Sequence, residues 1–442
     1  MELQVMSIIN IKCSIIIFFI VLTGAPCAAM DSGKILLEKY GIQENYIVRE
    51  GLSNTLVEPV SEIIQQEAVF SYRESDRRVQ FKAIISERKI FFVFINETEQ
   101  GYLPNQGGTY IIRRDRQTGK FDNILVVLRP EVVTPEQPTS YLSITPSGGN
   151  SSKMDVYLFG TVFLKGILLP HPVETLVTMP FSLVVDVSKN VVDWDLVFSK
   201  GRRPQDRTVE KIIHQIESMR AGVPEKEDGA IDENGRFVFI ENGNLQSTPG
   251  GLNCSGFAKW LVDGFYYPLT GTYTSIPELK TGHPEKRGTR WTKRFEQTKD
   301  TYFGLDWTRN LAVTLEKARW DLSSLDYEAM DVRAIGRYEY LEDKGFAVND
   351  IRMLLYILAL KYPGKAYLGT INGYYPANPL YAQYYHVAMF FPFFDTEGQF
   401  HIGVFDQHQA TSIESIIEMY RDEYIHFVSV DTSMEFRLVL PK

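Results

Sequence analysis

Short apolar runs alternate with turn residues along the first part of the chain. Between about residues 69 and 197 these runs include KIFFVFIN, TYIIRRD, NILVVLRP, DVYLFGTVFL and FSLVVDV, separated by segments such as LPNQGG and PSGGNSS. Runs of this length that are rich in Val, Ile, Phe and Tyr are typical of β-strands. The pattern predicts a β-rich N-terminal domain over residues 30–205. The stretch SKGRRPQD at 199–206 is the predicted linker.

After the linker, the apolar positions recur at helical spacing. Val209, Ile212 and Ile216 predict one helix, and TRNLAVTLEKARW and NDIRMLLYILALKY predict two more. From residue 385 the period changes to that of strands. The runs YHVAMFFPFF and QFHIGVFDQ flank DTEG and predict a hairpin with a four-residue connection. A helix near 413–421 and strands at YIHFVSV and FRLVLP complete an α+β domain predicted over residues 206–442.

The N-terminus carries a different pattern. Lys12 is followed by an unbroken apolar run over residues 15–22 and then by small residues up to Ala29. This order is typical of a secretory signal peptide, and the run is shorter than the about 20 residues that span a bilayer. We therefore expect residues 1–29 to be removed from an exported, periplasmic or extracellular protein with no stable transmembrane span. An uncleaved N-terminal anchor is the alternative.

Composition and charge exclude several functional classes. The chain has 442 residues, of which 44% are hydrophobic and 23% charged, as in globular proteins of more than one domain. A net charge of -9 argues against a nucleic-acid partner, which requires a basic surface. The sequence contains neither HExxH nor paired CxxC, and it lacks GxxxxGKS or GxxxxGKT. We therefore expect no metal and no cofactor.

One cysteine remains once the signal peptide is removed. Cys13 and Cys27 belong to the predicted signal, and Cys254 lies in GGLNCSGFAKWLVDG at 250–264. The apolar residues after Cys254 keep helical spacing, which predicts that this cysteine sits in the first turn of a helix. The free N–H groups and the helix dipole at that position stabilise a thiolate, which is the nucleophilic form of cysteine.

A nucleophilic cysteine needs a base, and His386 at the start of a long apolar strand is the predicted base. A third polar group should orient the imidazole. With DTEG as the turn, Phe394 faces Gln399 and Asp406 falls beside His386. His401 would lie roughly 20 Å further along the strand at about 3.3 Å per residue. Geometry favours Asp406 as the third residue, although a bulge would change the register by one residue.

The motif GGLNCSGF resembles the nucleophile motif of the NlpC-type cell-wall cysteine peptidases of the papain-like superfamily. Their signature is a glycine pair, an apolar residue and Asp-Cys-Ser-Gly, and Asn253 stands here in place of the Asp. The segment HVAMFF is similar to the His-Val-Gly-Ile-Tyr strand of that family. His401 matches its third residue, which is often His, by type and order. Asp406 resembles instead the Asp of the transglutaminase-like branch.

The resemblance covers residues 250–264 and 385–407. It implies a papain-like catalytic domain, and the long interval between the motifs implies a helical insertion at about 270–385. Papain-like enzymes take an oxyanion-hole amide from an upstream Gln, which makes Gln246 a candidate. Asn253 is a second candidate for that role, or it caps the helix.

These features predict an exported cysteine peptidase or amidase. Cys254 would attack an amide carbonyl, His386 would accept and return the proton, and Asp406 or His401 would hold the imidazole. The resemblance implies peptidoglycan stem peptides as the substrate. Two alternatives remain open: a transglutaminase-like or lipid-directed thiol acyltransferase, and a non-catalytic cell-envelope binding protein on the same fold.

Overall fold

The chain divides into two compact units, Met1–Ser199 and Lys200–Lys442, and the boundary lies at the start of the predicted linker. The computed structural model describes residues 3–4, 31–72, 77–129, 138–199, 201–283, 300–374, 382–406 and 409–441. Apart from Leu3–Gln4, the predicted signal peptide lies outside these residues. Within them, no helix has both the length and the apolar character that crossing a membrane requires. Helices and large antiparallel sheets occur in both units, so the fold class is α+β.

The N-terminal unit is built on one antiparallel sheet. Its strands are β1 (Leu3–Gln4), β2 (Gln66–Tyr72), β3 (Arg78–Ile85), β4 (Lys89–Thr98), β5 (Gly101–Tyr102), β6 (Tyr110–Asp115), β7 (Phe121–Val127), β8 (Tyr141–Pro146), β9 (Ser152–Leu158) and β10 (Thr161–Leu169). Apart from β5, which pairs only with β4, each strand pairs with the next along the chain. The predicted β-rich character of this segment follows from that meander.

The described residues of this unit also form six helices. They are α1 (Asp31–Lys39), α2 (Tyr46–Gly51), α3 (Ser53–Val57), α4 (Val173–Leu176), α5 (Phe181–Ser188) and α6 (Trp194–Phe198). The run FSLVVDV, predicted as a strand, forms α5, so that prediction is wrong. The buried residues Phe181, Val184, Val185 and Ser188 follow helical spacing, and Pro180 precedes the first turn. Burial of this one face outweighs the strand preference of its β-branched residues.

The C-terminal unit places helices on both faces of a second antiparallel sheet. Its helices are α7 (Pro204–Arg220), α8 (Cys254–Thr270), α9 (Ile276–Leu279), α10 (Phe303–Trp320), α11 (Ile351–Lys361) and α12 (Ile413–Met419). Its strands are β11 (Gly229–Ile231), β12 (Phe237–Phe239), β13 (Asp331–Val332), β14 (Phe346–Ala347), β15 (Lys365–Tyr374), β16 (Ala382–Phe394), β17 (Phe400–Asp406), β18 (Gln409–Thr411) and β19 (Tyr424–Asp431). The order is β13-β19-β15-β16-β17-β18, with β14 also on β19 and β11–β12 as a separate pair.

Alternate residues of β16 face two different layers of helices. Val387, Met389 and Phe391 join a core that contains the apolar faces of α7, α8 and α10. Phe394 points to the opposite side, where its ring contacts Tyr356 of α11. A strand that is buried on both faces reads as a continuous apolar run, as the sequence YHVAMFF does.

The segment expected as a helical insertion at 270–385 is part of this architecture. It contains α10, which packs against α8, and β15, which lies between β19 and β16 in the sheet. A strand inside the sheet cannot be removed without exposing its neighbours. The segment therefore completes the core of the unit and is not a separate addition to it.

The C-terminal segment FRLVLP is predicted as a strand, but in the structure it packs against helix α8. Within the described residues it has no strand pairing. Phe436 packs its ring on Phe265, and the Trp260 indole donates a hydrogen bond of 2.8 Å to the Val439 carbonyl. Apolar side chains on the helix thus provide the contacts that strand pairing would have supplied.

Helix α8 also carries a buried ion pair. Lys259 and Asp263 are fully buried one turn apart, with 2.6 Å between Nζ and Oδ2. The other oxygen of Asp263 accepts hydrogen bonds of 2.8 Å from the Thr274 N–H and hydroxyl. The pair joins the middle of α8 to the segment that follows it. Removing one partner would leave a buried charge without compensation.

We predict that Lys259→Met destabilises the C-terminal unit by about 3–5 kcal/mol, because Asp263 would remain buried without its cation. Tryptophan fluorescence during denaturant unfolding measures this change. The control is Lys211→Met, which removes an exposed lysine from α7 and should alter the free energy of unfolding by no more than about 0.5 kcal/mol. Equal stabilities for the two variants would contradict the prediction.

Candidate active site

Cys254 is the first residue of helix α8, the position that the apolar spacing predicts. Asn253 precedes it with extended backbone and caps the helix, because its Oδ1 accepts a 2.8 Å hydrogen bond from the Gly256 N–H. A Cβ at Gly256 would come within 2.0 Å of the Gly229 carbonyl oxygen. Glycine therefore lets the start of the helix press directly against β11, which holds the thiol in place.

The β16–β17 hairpin has a different register from the one predicted. Phe394 pairs with Phe400, and the Asp395 N–H donates to the Gln399 carbonyl. The loop is therefore three residues long, with Gly398 in the left-handed region at φ 76°. This one-residue shift pairs Asp406 with Ala388.

The shift places Asp406 on the same face of the sheet as His386, because residues two apart on a strand share a face. The distance between His386 Nε2 and Asp406 Oδ1 is 2.5 Å. His386 is 4% exposed, and its ring stacks on Tyr420 with centroids 5.5 Å apart. Asp406 and Tyr420 together fix the imidazole plane and leave Nδ1 free of the carboxylate.

The Cys254 thiol and the His386 imidazole lie close enough for each to shift the pKa of the other. Burial on its own raises the pKa of the Cys254 thiol. The hydrogen bond and positive charge of His386, the Val387 backbone N–H and the Ser255 hydroxyl outweigh it and leave that pKa below its usual value. Burial likewise lowers the pKa of His386, but its bonds with Asp406 and Cys254 raise it to about 10. The shifts in the two groups thus favour the charged forms, a thiolate beside an imidazolium.

A cleft of about 210 Å³ opens beside the sulfur. Its walls come from the start of α8, the start of α10 and the segment just before it, the loops around β11 and β12, and the start of β16. The lining residues are Asp228, Ile240, Glu241, Asn253, Cys254, Ser255, Asp300, Phe303, Gln383, Tyr384 and Tyr385. Asp228, Glu241 and Asp300 give this cleft an acidic rim. An uncharged or cationic group would enter it more readily than an anion.

His401 lies apart from this site. Its Nε2 is 2.8 Å from Asp395 Oδ2, its ring stacks on Phe393, and about half of its side chain is exposed. The structure therefore brings Asp406, and not His401, into contact with His386.

The Gln246 amide is bonded within its own loop. Its nitrogen donates to the carbonyls of Val238 and Gly251 at 2.7 and 3.0 Å, and its oxygen accepts from the Gly251 N–H at 2.8 Å. Gln246 is not among the residues that line the cleft, and both ends of its amide are engaged in this loop. Asn253 lines the cleft, with its Oδ1 engaged in the helix cap.

Several residues that contact the His386 ring or line the cleft were not predicted from the sequence. Tyr420 stacks on His386, and Tyr385 donates a 2.8 Å hydrogen bond to Glu423. Burial raises the pKa of Glu423. Gln383 lies three residues before His386 in the sequence and lines the cleft. Among these residues, Gln383 carried a local signal in the sequence, because it lies close to the predicted base. The contacts of Tyr420 and Glu423 come from the segment between α12 and β19, which is distant from β16 in the sequence.

Two observations concern the metal-binding and thiol groups of the described residues. Among the described residues, no cluster of three or more His, Cys, Asp or Glu side chains has the arrangement of a metal site. Cys254 is a free thiol.

Comparison with known proteins bears on the N-terminal unit. A family model described as a domain of unknown function, DUF8515, matches residues 38–196. The match ends before Cys254 and includes none of the residues that line the cleft. No curated protein and no solved structure matches the chain.

Proposed function

We propose that this protein is an exported thiol hydrolase that cleaves amide bonds through an acyl-enzyme. The observation that carries the proposal is a buried His386 held by Asp406 at 2.5 Å and placed beside Cys254 in the first turn of α8. Acyl transfer by a cysteine requires a nucleophile, a base beside it, and a carboxylate that orients the base. Cys254, His386 and Asp406 are proposed for these three roles.

The chemistry follows from the positions of the protons. The Cys254 thiolate attacks the carbonyl carbon, a C–S bond forms, and the carbonyl π electrons move to oxygen. His386 then gives its proton to the leaving amine as the C–N bond breaks. Water, deprotonated by the neutral imidazole, attacks the thioester and releases the acid and the thiol. Asp406 keeps the imidazole in one orientation throughout these steps.

The proposed substrate class is the stem peptide of peptidoglycan. The resemblance of GGLNCSGF to the NlpC-type nucleophile motif supports it, together with the predicted export signal. The acidic rim formed by Asp228, Glu241 and Asp300 is compatible with a substrate that carries a free amine beside the scissile bond.

Acyl transfer to an amine is a second candidate. It uses the same acyl-enzyme, but an amine replaces water as the acceptor. Asp406 in the third position and the acidic rim favour it, since carboxylates attract a protonated amine to the cleft. Mass spectrometry of the products separates the two candidates: hydrolysis leaves a free acid, whereas transfer leaves a new amide.

The decisive test is incubation of the purified protein with isolated peptidoglycan and with soluble stem peptides. We predict that chromatography and mass spectrometry detect new free amines and carboxylates, and that Cys254→Ala and Cys254→Ser abolish them. Hydrolysis that survives in Cys254→Ala would overturn the proposal. An intact substrate with the unaltered protein would favour a non-catalytic binding protein.

We predict that iodoacetamide alkylates Cys254 faster at pH 7 than it alkylates an ordinary cysteine, because His386 lowers the pKa of the thiol. His386→Ala should slow alkylation at pH 7 and move the rise of the rate to higher pH, since the thiol loses that partner. Mass spectrometry of the Cys254 peptide measures the rate. His401→Ala is the control and should leave it unchanged.

We predict that Asp406→Asn lowers kcat by about 10²- to 10⁴-fold, because the amide no longer stabilises the imidazolium or fixes its tautomer. The matched variant His401→Ala should keep kcat within about twofold, as its side chain is half-exposed and bonded to Asp395. The reverse pattern would assign the third role to His401.

A further inference from the structure

The side-chain amide of Gln383 lies beside the cleft that contains Cys254. Gln383 lies on β16, lines the cleft with Cys254, and is 9% exposed. Within the part of the chain that the structure describes, its side chain makes no hydrogen bond. Most of the residue is buried, but its amide nitrogen and oxygen are not sealed from solvent. An amide that lines a cleft, reaches its solvent and has no bond to these residues is available to a bound molecule.

A bulge in β16 places Gln383 on the His386 side of the strand. His386 pairs with Ile371 of β15 and Gln383 pairs with Gly373, while the register shifts by one residue between them. Between these two pairs, the chain covers three residues along β16 but only two along β15. Without the bulge, an odd separation would put the two side chains on opposite faces. With it, Gln383 and His386 share a face.

The thiol hydrolase chemistry requires donors for a developing oxyanion. When the Cys254 thiolate adds to a carbonyl, the negative charge moves to the carbonyl oxygen. Donors fixed in advance at that position stabilise the transition state. Cys254 begins α8, so its own backbone N–H has no acceptor within the helix. Gln246, the donor expected from the sequence, is bonded in its loop and leaves the second position open.

We propose that the side-chain N–H of Gln383 is this second donor and that it completes the oxyanion hole with the Cys254 N–H. The inference rests on the proposed function. In the step concerned, a C–S bond forms, the C–O π pair becomes the oxyanion, and Gln383 donates a hydrogen bond without transferring its proton. Gln383 is thus a catalytic residue that acts on the carbonyl oxygen.

Two reactions of the same sulfur test this role. Acylation by p-nitrophenyl acetate passes through a tetrahedral oxyanion and then expels p-nitrophenolate. Alkylation by iodoacetamide displaces iodide at an sp³ carbon and forms no oxyanion. A donor to the oxyanion therefore accelerates the first reaction only, whereas a residue that maintains the thiolate or the fold affects both.

We predict that Gln383→Ala and Gln383→Glu lower kcat for p-nitrophenyl acetate by about 10²- to 10³-fold with little change in KM. Both variants should alkylate within about twofold of the unaltered rate. Gln383→Glu keeps the size of the side chain and removes the donor at neutral pH. Gln215→Glu, on the half-buried side of α7, is the matched control and should leave both reactions unchanged.

Three outcomes would overturn the assignment. They are an unchanged kcat in both variants, a rise in KM alone, and an equal fall in acylation and alkylation. If the unaltered protein acylates no faster than Cys254→Ala, the proposed hydrolase function itself fails and Gln383 fails with it. Loss of acylation in the Gln383 variants alone, with circular dichroism unchanged, supports the assignment.

Discussion

The juxtaposition of Cys254 and His386, which shift each other's pKa, is the interaction on which the site depends. The two residues come from a helix and a strand that are 132 positions apart in the chain. They meet because α8 buries its apolar face against the sheet that contains β16. The Gly256 contact with β11 sets how closely the start of that helix can approach. The packing of the core therefore sets the position of the sulfur.

Burial opposes the charged state of both partners, so the ion pair needs compensation from its surroundings. Burial by itself favours the neutral thiol and the neutral imidazole. Asp406 on one side of the ring and the Val387 N–H at the sulfur outweigh that preference. Tyr420 covers the ring and limits the access of water to it. The result is a thiol with a lowered pKa in a partly enclosed cleft, and the proposed acyl transfer draws on this environment.

The two units differ in how far the pattern of residues predicts them. In the N-terminal unit the turn residues separate the strands clearly, and the meander needs only neighbouring strands to pair. The segment FSLVVDV was misjudged because its β-branched residues have a strand preference, while its tertiary surroundings bury a helical face. FRLVLP was misjudged for a similar reason, since α8 offers it apolar contacts and no strand partner.

The sequence by itself determined that Cys254 begins a capped helix and that His386 begins a strand, because spacing, capping and turn signals act over a few residues. The tertiary structure decided which groups surround them. A left-handed Gly398 shortened the hairpin loop and brought Asp406 to His386, and a bulge in β16 turned Gln383 to the same face. Such shifts of one residue reverse the face of a side chain. They are set by the sum of many contacts between distant segments, which no local pattern contains.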